Sequence, residues 1–162
     1  MSVRVDQRRD PRPELDTYNK AIKLSSHVMS VAKPKEEKPN SHHIPKRMAN
    51  IGKMMVDLTL DIGADILEAN EGYYVGSNVP TKTLIKRYED RVELEEHALK
   101  MTFRLEHIYR VLNDNHRLAE STNKYMMDLI DELRAVLTKW IRSEKTKATS
   151  LAKSVDSGVR VE

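Results

Sequence analysis

The chain has 162 residues, of which 33% are charged, and a formal net charge of +3; it contains no cysteine, and aromatic residues make up 5%. Disulfide bonds and thiolate metal sites are therefore excluded, and one helical domain in the reducing cytoplasm is favoured over a sheet protein. No apolar run approaches the length that spans a bilayer, and the N-terminal residues lack the apolar segment of a secretory signal.

The N-terminal segment, residues 1–13, is polar, contains two prolines and carries four Arg against two Asp. Because it lacks periodicity, we predict a disordered basic arm. The first helix is predicted over residues 14–32. Its apolar face is expected to carry Leu15, Tyr18, Ile22 and Met29, with Ala21 and Val28 beside it. A loop should follow over residues 33–41, because two prolines and a charge run prevent the helix from continuing.

The second helix is predicted over residues 45–71, where apolar side chains recur every three or four residues. The members of this row are Met48, Ile51, Met55, Leu58, Ile62 and Ala69. Gly52 and Gly63 each weaken a helix by roughly 1 kcal/mol relative to Ala. We therefore expect these glycines to permit close approach by a neighbouring helix, and we expect Gly72 to end the second helix.

The third predicted helix runs from about residue 81 past residue 112 without Pro or Gly. It has two adjacent apolar rows, which is too wide for a two-stranded coiled coil and fits a helix with several neighbours. The fourth helix is predicted from Ser121 or Thr122 to about Lys145, followed by a frayed or disordered tail over residues 146–162. These elements predict an all-α, up-down-up-down antiparallel four-helix bundle over residues 14–145.

The second helix carries an acidic row, which continues to Glu68 and is a candidate metal site. Asp57, Asp61 and Asp65 recur every four residues, but no His in the chain has a Glu three residues before it, as di-metal bundles require. We therefore expect no metal and no cofactor, and we expect the row to pair with Lys or Arg of a neighbouring helix, in the same chain or across a subunit contact. No nucleophile motif is visible either, so a metal-dependent enzyme is the least favoured class.

Basic residues on the helices are the better functional candidates, because cations that neutralise phosphates release condensed counterions. The candidate nucleic-acid-binding residues are Lys46, Arg47, Lys53, Arg104, Arg110, Lys139, Arg142 and Lys145. The competing interpretation is a solvated surface whose cations pair with nearby acids. That interpretation is strongest for Arg87 and Arg91, which have acids three and four residues away on the same helix.

Three stretches carry a resemblance to a known family. They are Ile44-Pro45-Lys46-Arg47 with Ile51-Gly52 and Glu68-Ala69-Asn70; Phe103-Arg104-Leu105; and Leu129-Ile130-Asp131-Glu132-Leu133 with Leu137 and Trp140-Ile141-Arg142-Ser143. In this order and spacing the chain resembles the four-helix accessory variability determinant (Avd) proteins of diversity-generating retroelements and the proteins encoded in 23S rRNA intervening sequences. Thr138-Lys139 departs from the pattern, since the family has two glycines there, and Ile44 departs from it, since the family has an aromatic residue at that position.

The resemblance implies a homopentamer with a basic surface, a reverse transcriptase as partner, and template RNA held between them. It also implies an accessory protein without catalytic activity, which the polymerase needs to make adenine-mutated cDNA. The intervening-sequence branch of the resemblance implies the same fold without a known polymerase partner. The alternative function is therefore a structural, self-associating bundle with no role in nucleic-acid binding.

Overall fold

The structure, a computed structural model, describes residues 13–73, 75–76 and 78–156. The helices are α1 (Pro13–Val31), α2 (Ala49–Leu67), α3 (Thr81–Asn115) and α4 (Glu120–Asp156). A 3-10 turn (Lys46–Met48) precedes α2, and a π-helical turn (Glu68–Gly72) follows it. Across these described ranges no strand forms, and one isolated β-bridge joins Lys35 to Pro45.

The four helices pack as an antiparallel bundle in which each contacts the next and α1 contacts α4. The direction of α1 against α4 is shown by Lys20, which lies 3.8 Å from Glu132, and by His27, whose ring meets the Tyr125 ring edge-on at 4.6 Å. The predicted all-α, up-down-up-down four-helix bundle is confirmed for a single chain.

The end of α4 differs from the prediction. The helix continues to Asp156, so the prediction that it ends near Lys145 was wrong. Its last turns carry Ala148, Leu151 and Ala152 at half-buried positions, among lysines and alanines that favour helix. This apolar row is short and mostly small, which is why the sequence pattern faded there. Residues 1–12 of the predicted arm and 157–162 of the predicted tail lie outside the described residues.

The four helices differ in length, and this creates two regions. At about 1.5 Å per residue, α4 is roughly 55 Å long and α1 roughly 28 Å. Because Lys20 lies beside Glu132, the first residue of α1 reaches only the level of residue 139 of α4. We call residues 81–90 and 145–156 the two-helix extension. The remainder, with α1, α2 and residues 91–144, is the four-helix body.

The core-facing side of α1 is rotated relative to the predicted face. Ile22 and Met29 are 46% and 53% exposed, whereas Ala21, Leu24 and Val28 are almost fully buried. The buried row consists of Leu24 together with Ala21 and Val28, which were expected beside the apolar face, and α1 packs against α2 and α4. Ile22 and Met29 are therefore surface residues of the body.

Gly52 permits a close approach, as predicted, although the neighbour is a loop rather than a helix. A Cβ at Gly52 would lie 2.5 Å from Ile44 Cδ1 and 3.1 Å from the Ala32 carbonyl oxygen. The fully buried Ile44 is held there because its amide donates to the Val31 carbonyl at 3.0 Å. The same expectation was wrong for Gly63, where an added Cβ meets nothing within 4 Å in the described chain.

Candidate nucleic-acid interface

A buried ion pair joins α3 to α4 where the four-helix body meets the two-helix extension. Arg91 and Glu144 are 4% and 2% exposed, and the guanidinium donates to both carboxylate oxygens at 2.7–3.0 Å. The expectation that Arg91 pairs with acids of its own helix was therefore wrong. An acid 53 residues away takes its place, because Arg91 points into the bundle rather than along its surface.

The same pair has further polar partners. The Trp140 indole donates to Glu144 Oε1 at 2.5 Å, and Arg91 donates to the carbonyls of Asn70 and Tyr73 at 3.4 and 3.2 Å. Buried charges are tolerated where hydrogen bonds satisfy them in this way. The network ties the π-helical turn, α3 and α4 together and sets the direction in which the extension leaves the body.

A basic groove runs along α4 from this junction onto the extension. It has a volume of about 500 Å³. Its lining residues are three cations, Arg142, Lys145 and Lys153; four hydroxyl residues, Thr138, Thr146, Thr149 and Ser150; and Ile141. Within the described chain no carboxylate lines it. Cations beside hydroxyl groups are the donors that proteins use for phosphate oxygens.

The cations of the basic groove differ in their pairing. Lys145 lies 2.6 Å from Glu96 of α3, so its charge is partly neutralised. Arg142 and Lys153 form no ion pair with any residue that the structure describes. The Thr146 hydroxyl donates its proton to the Arg142 carbonyl at 2.9 Å, so this hydroxyl is already engaged as a donor within α4. Two cations are therefore available to an anionic partner.

The cations predicted at the start of α2 lie at the opposite end of the body. Arg47 donates to Glu37 at 2.6 Å and to the Asn115 carbonyl at 3.3 Å, so it fastens the loop to the end of α3. Lys46 and Lys53 are exposed. About twenty-five residues of α4 separate this end from Lys145, or roughly 37 Å. The structure does not bring the two predicted clusters together.

The three remaining predicted residues occupy different surfaces. Arg110 pairs with Glu106 at 2.8 Å, and Arg104 is exposed in a second groove, between α2 and α3. Lys139 is exposed on α4 but does not line the basic groove. Of the eight predicted residues, only Arg142 and Lys145 share one site.

The α2–α3 groove has a volume of about 760 Å³ and a mixed lining. Its lining residues are Met54, Leu58, Phe103 and Ile108; Asp57 and Asp61; and Lys100, Arg104 and His107. Nearby, Arg134 of α4 donates to Glu106, and this hydrogen bond and a second from Arg110 hold the pKa of the Glu106 carboxyl below its usual value. The acids make this groove a poorer phosphate site than the basic groove.

Sequence reasoning missed Lys153 and the four hydroxyl residues. The signal was present, since positions 138, 142, 145, 149 and 153 repeat every three or four residues and so share one helical face. For the residues from Thr146 onward it was overlooked because the predicted helix ended near residue 145; Thr138 lies inside that helix but was not considered as a phosphate donor. A face can be recognised only within a continuous helix.

Comparison with protein-family models, curated proteins and solved structures finds no match to this chain. In the described part of the chain, no group of three or more His, Asp or Glu side chains is arranged to hold a metal ion. Nor is any described helix both long and apolar enough to cross a membrane.

Proposed function

We propose that this protein is a non-catalytic, self-associating RNA-binding protein that contacts RNA phosphates through the basic groove of α4. The observation that carries the proposal is the groove's composition: three cations and four hydroxyl residues on one helical face, without a carboxylate among the described lining residues. Each neutralised phosphate would release counterions, and the hydroxyl groups would add hydrogen bonds to phosphate or sugar oxygens. The proposal assigns no catalytic role, since the sequence shows no nucleophile motif.

We further propose the role that the family resemblance implies: a cytoplasmic homopentamer that binds a reverse transcriptase and its template RNA in a diversity-generating retroelement. Several residues of the resembling stretches are buried, among them Ala69, Leu133 and Trp140. Their positions support a shared bundle architecture. Partner choice depends on exposed residues instead, so this part of the proposal stands on the resemblance alone.

The second candidate is a structural, self-associating bundle of the intervening-sequence type, without a polymerase partner. It is favoured by large apolar side chains on the surface, including Ile22, Leu60 and Phe103 at 46%, 52% and 58% exposure. Exposed apolar side chains of this size commonly mark protein interfaces when they are contiguous. Both candidates predict an oligomer, and only the first predicts RNA binding.

A salt titration of RNA binding tests the phosphate contacts. We expect the logarithm of the association constant to fall linearly with the logarithm of salt concentration, by about 0.7 per phosphate contact on a single strand. The double variant R142Q/K153Q should reduce that slope by about 1.4 and weaken binding roughly tenfold at low salt. Binding that is absent at low salt, or that does not change with salt, would contradict the proposal.

The matched control is K23Q/K33Q, which removes the same charge from exposed positions on and just after α1. It should leave the salt slope within error of the wild-type slope. The retroelement role has its own test in the genome. A reverse transcriptase gene and a template/variable repeat pair beside this gene would support it, whereas a location inside an rRNA gene would favour the second candidate.

A further inference from the structure

The two walls of the α2–α3 groove carry opposite charges. Asp57 and Asp61 project from α2, and Lys100 and Arg104 project from α3, all four at exposed positions. Within the described part of the chain, none of the four forms an ion pair. One turn farther along the same two helices, Asp65 and His97 do bridge the groove at 2.5 Å. The four charges are therefore available to something outside the chain.

The groove also presents apolar side chains. Met54 is 52% exposed and Phe103, the one Phe in the chain, is 58% exposed. Phe side chains are usually buried in folded proteins. The Phe103 ring is held in place, because the Arg134 guanidinium lies 4.0 Å from its centroid and is itself fixed by Glu106. A pre-positioned aromatic side chain loses little conformational entropy when a partner covers it. The groove has the apolar centre and charged margin of a protein interface.

We infer that this groove is a contact between copies of the chain, in which the acidic wall of α2 meets the basic wall of α3 of a second copy. This inference rests on the self-association proposed above and assigns a surface to a two-fold contact between copies. Such a contact closes at a dimer, so it is an alternative to the homopentamer that the family resemblance implies, because a ring needs two different contact surfaces on each copy. Phe103 and Met54 would be covered at the centre of the contact. The two aspartates and the two cations would pair across it.

The charge pattern favours a second copy over other occupants. The groove is complementary to itself, since one surface carries both rows and each row finds its opposite on another copy. Contact of α2 with α2 would place acid against acid, so the pattern selects contact of α2 with α3. RNA is disfavoured here because Asp57 and Asp61 would repel its phosphates. The basic groove, which lacks such acids, stays free for RNA.

Charge reversal tests this contact directly. The variants D57K/D61K and K100E/R104E each make both walls of the groove carry one sign of charge. Each alone should raise the dissociation constant of the assembly at least tenfold, measured by sedimentation across a concentration series. An equimolar mixture of the two should associate again, and so should the fourfold variant D57K/D61K/K100E/R104E. Circular dichroism melting would verify that every variant is folded.

The matched control, E71K/D114K, reverses two exposed acids outside the groove. It should leave the dissociation constant of the assembly unchanged. If the wild-type protein is an oligomer and neither double variant raises the dissociation constant of the assembly, the inference is contradicted and the proposed self-association stands. Dissociation without rescue in the mixture would contradict the pairing of the two walls. A wild-type protein that stays monomeric would contradict both this inference and the proposed self-association. The salt titration tests RNA binding separately.

Discussion

The four-helix body and the two-helix extension bury their apolar side chains to different extents. In the body, side chains such as Leu105, Leu133 and Ile62 are 0–1% exposed, because each helix has two neighbours. In the extension, Leu84 and Leu151 are half-buried. The body therefore supplies the cooperative stability of the fold. The extension depends on the polar junction at Arg91 and Glu144 for its position, and it carries most of the basic groove.

The largest loss of unfolding free energy is expected for a substitution at the junction between these two regions. Replacing Glu144 with Ala leaves the Arg91 charge buried without its carboxylate, which costs about 3–5 kcal/mol of unfolding free energy in comparable sites. Urea denaturation measures this loss. The exposed control Glu93→Ala should change the free energy of unfolding by less than about 0.5 kcal/mol. A loss below about 1 kcal/mol for Glu144→Ala would show that the pair does not hold the junction.

The difference in burial can be measured with two matched truncations. Leu105→Ala in the body should cost about 2–5 kcal/mol of unfolding free energy, because a fully buried side chain leaves a cavity. Leu151→Ala in the extension should cost about 1 kcal/mol, since its side chain keeps contact with solvent. Equal losses at the two positions would mean that the extension is packed as tightly as the body.

RNA binding should also distinguish the basic groove, most of which lies on the extension, from the start of α2 at the far end of the body. The double variant R142Q/K153Q removes cations from the basic groove, and we expect it to weaken RNA binding roughly tenfold. The variant K46Q/K53Q removes the same charge from the far end of the body and should weaken binding less than about twofold. Fluorescence anisotropy at low salt compares them. If K46Q/K53Q weakens RNA binding more than R142Q/K153Q does, the RNA site lies at the start of α2 rather than in the basic groove.

The smallest expected effect is a pH dependence of the free energy of unfolding, which comes from His27 in the four-helix body. Burial lowers the pKa of His27 below its ordinary value of 6.5, against a smaller opposing contribution from a hydrogen bond to the Thr122 backbone. The unfolded chain therefore binds this proton more tightly than the folded chain. The free energy of unfolding should be unaffected well above pH 6.5 and should fall as the pH drops through and below that value. His27→Gln should flatten this part of the profile.

The fold was largely readable from the sequence, and the candidate site only partly. The rhythm of α2 and α3 predicted two long amphipathic helices, and both formed close to the expected bounds. Of the three cations in the basic groove, Arg142 and Lys145 were named as candidates from the sequence. Lys153 was missed because the weak apolar row after Lys145 did not predict a helix. The face of α1 was misassigned because Ile22 and Leu24 are equally apolar and equally large, so only packing against the other helices decides that Leu24 is buried and Ile22 is exposed.

By itself, the sequence determined the number of helices, their order and their antiparallel arrangement, because apolar periodicity and short loops are local properties of the chain. Tertiary structure alone decided which charges are available. Arg91 looked like a surface cation with partners on its own helix, and folding placed it against Glu144, 53 residues away. Arg47 and Lys145 gained carboxylate partners on other elements, whereas Arg142 and Lys153 gained none among the described residues. Pairing depends on distances between helices, and those distances exist only once the helices have packed.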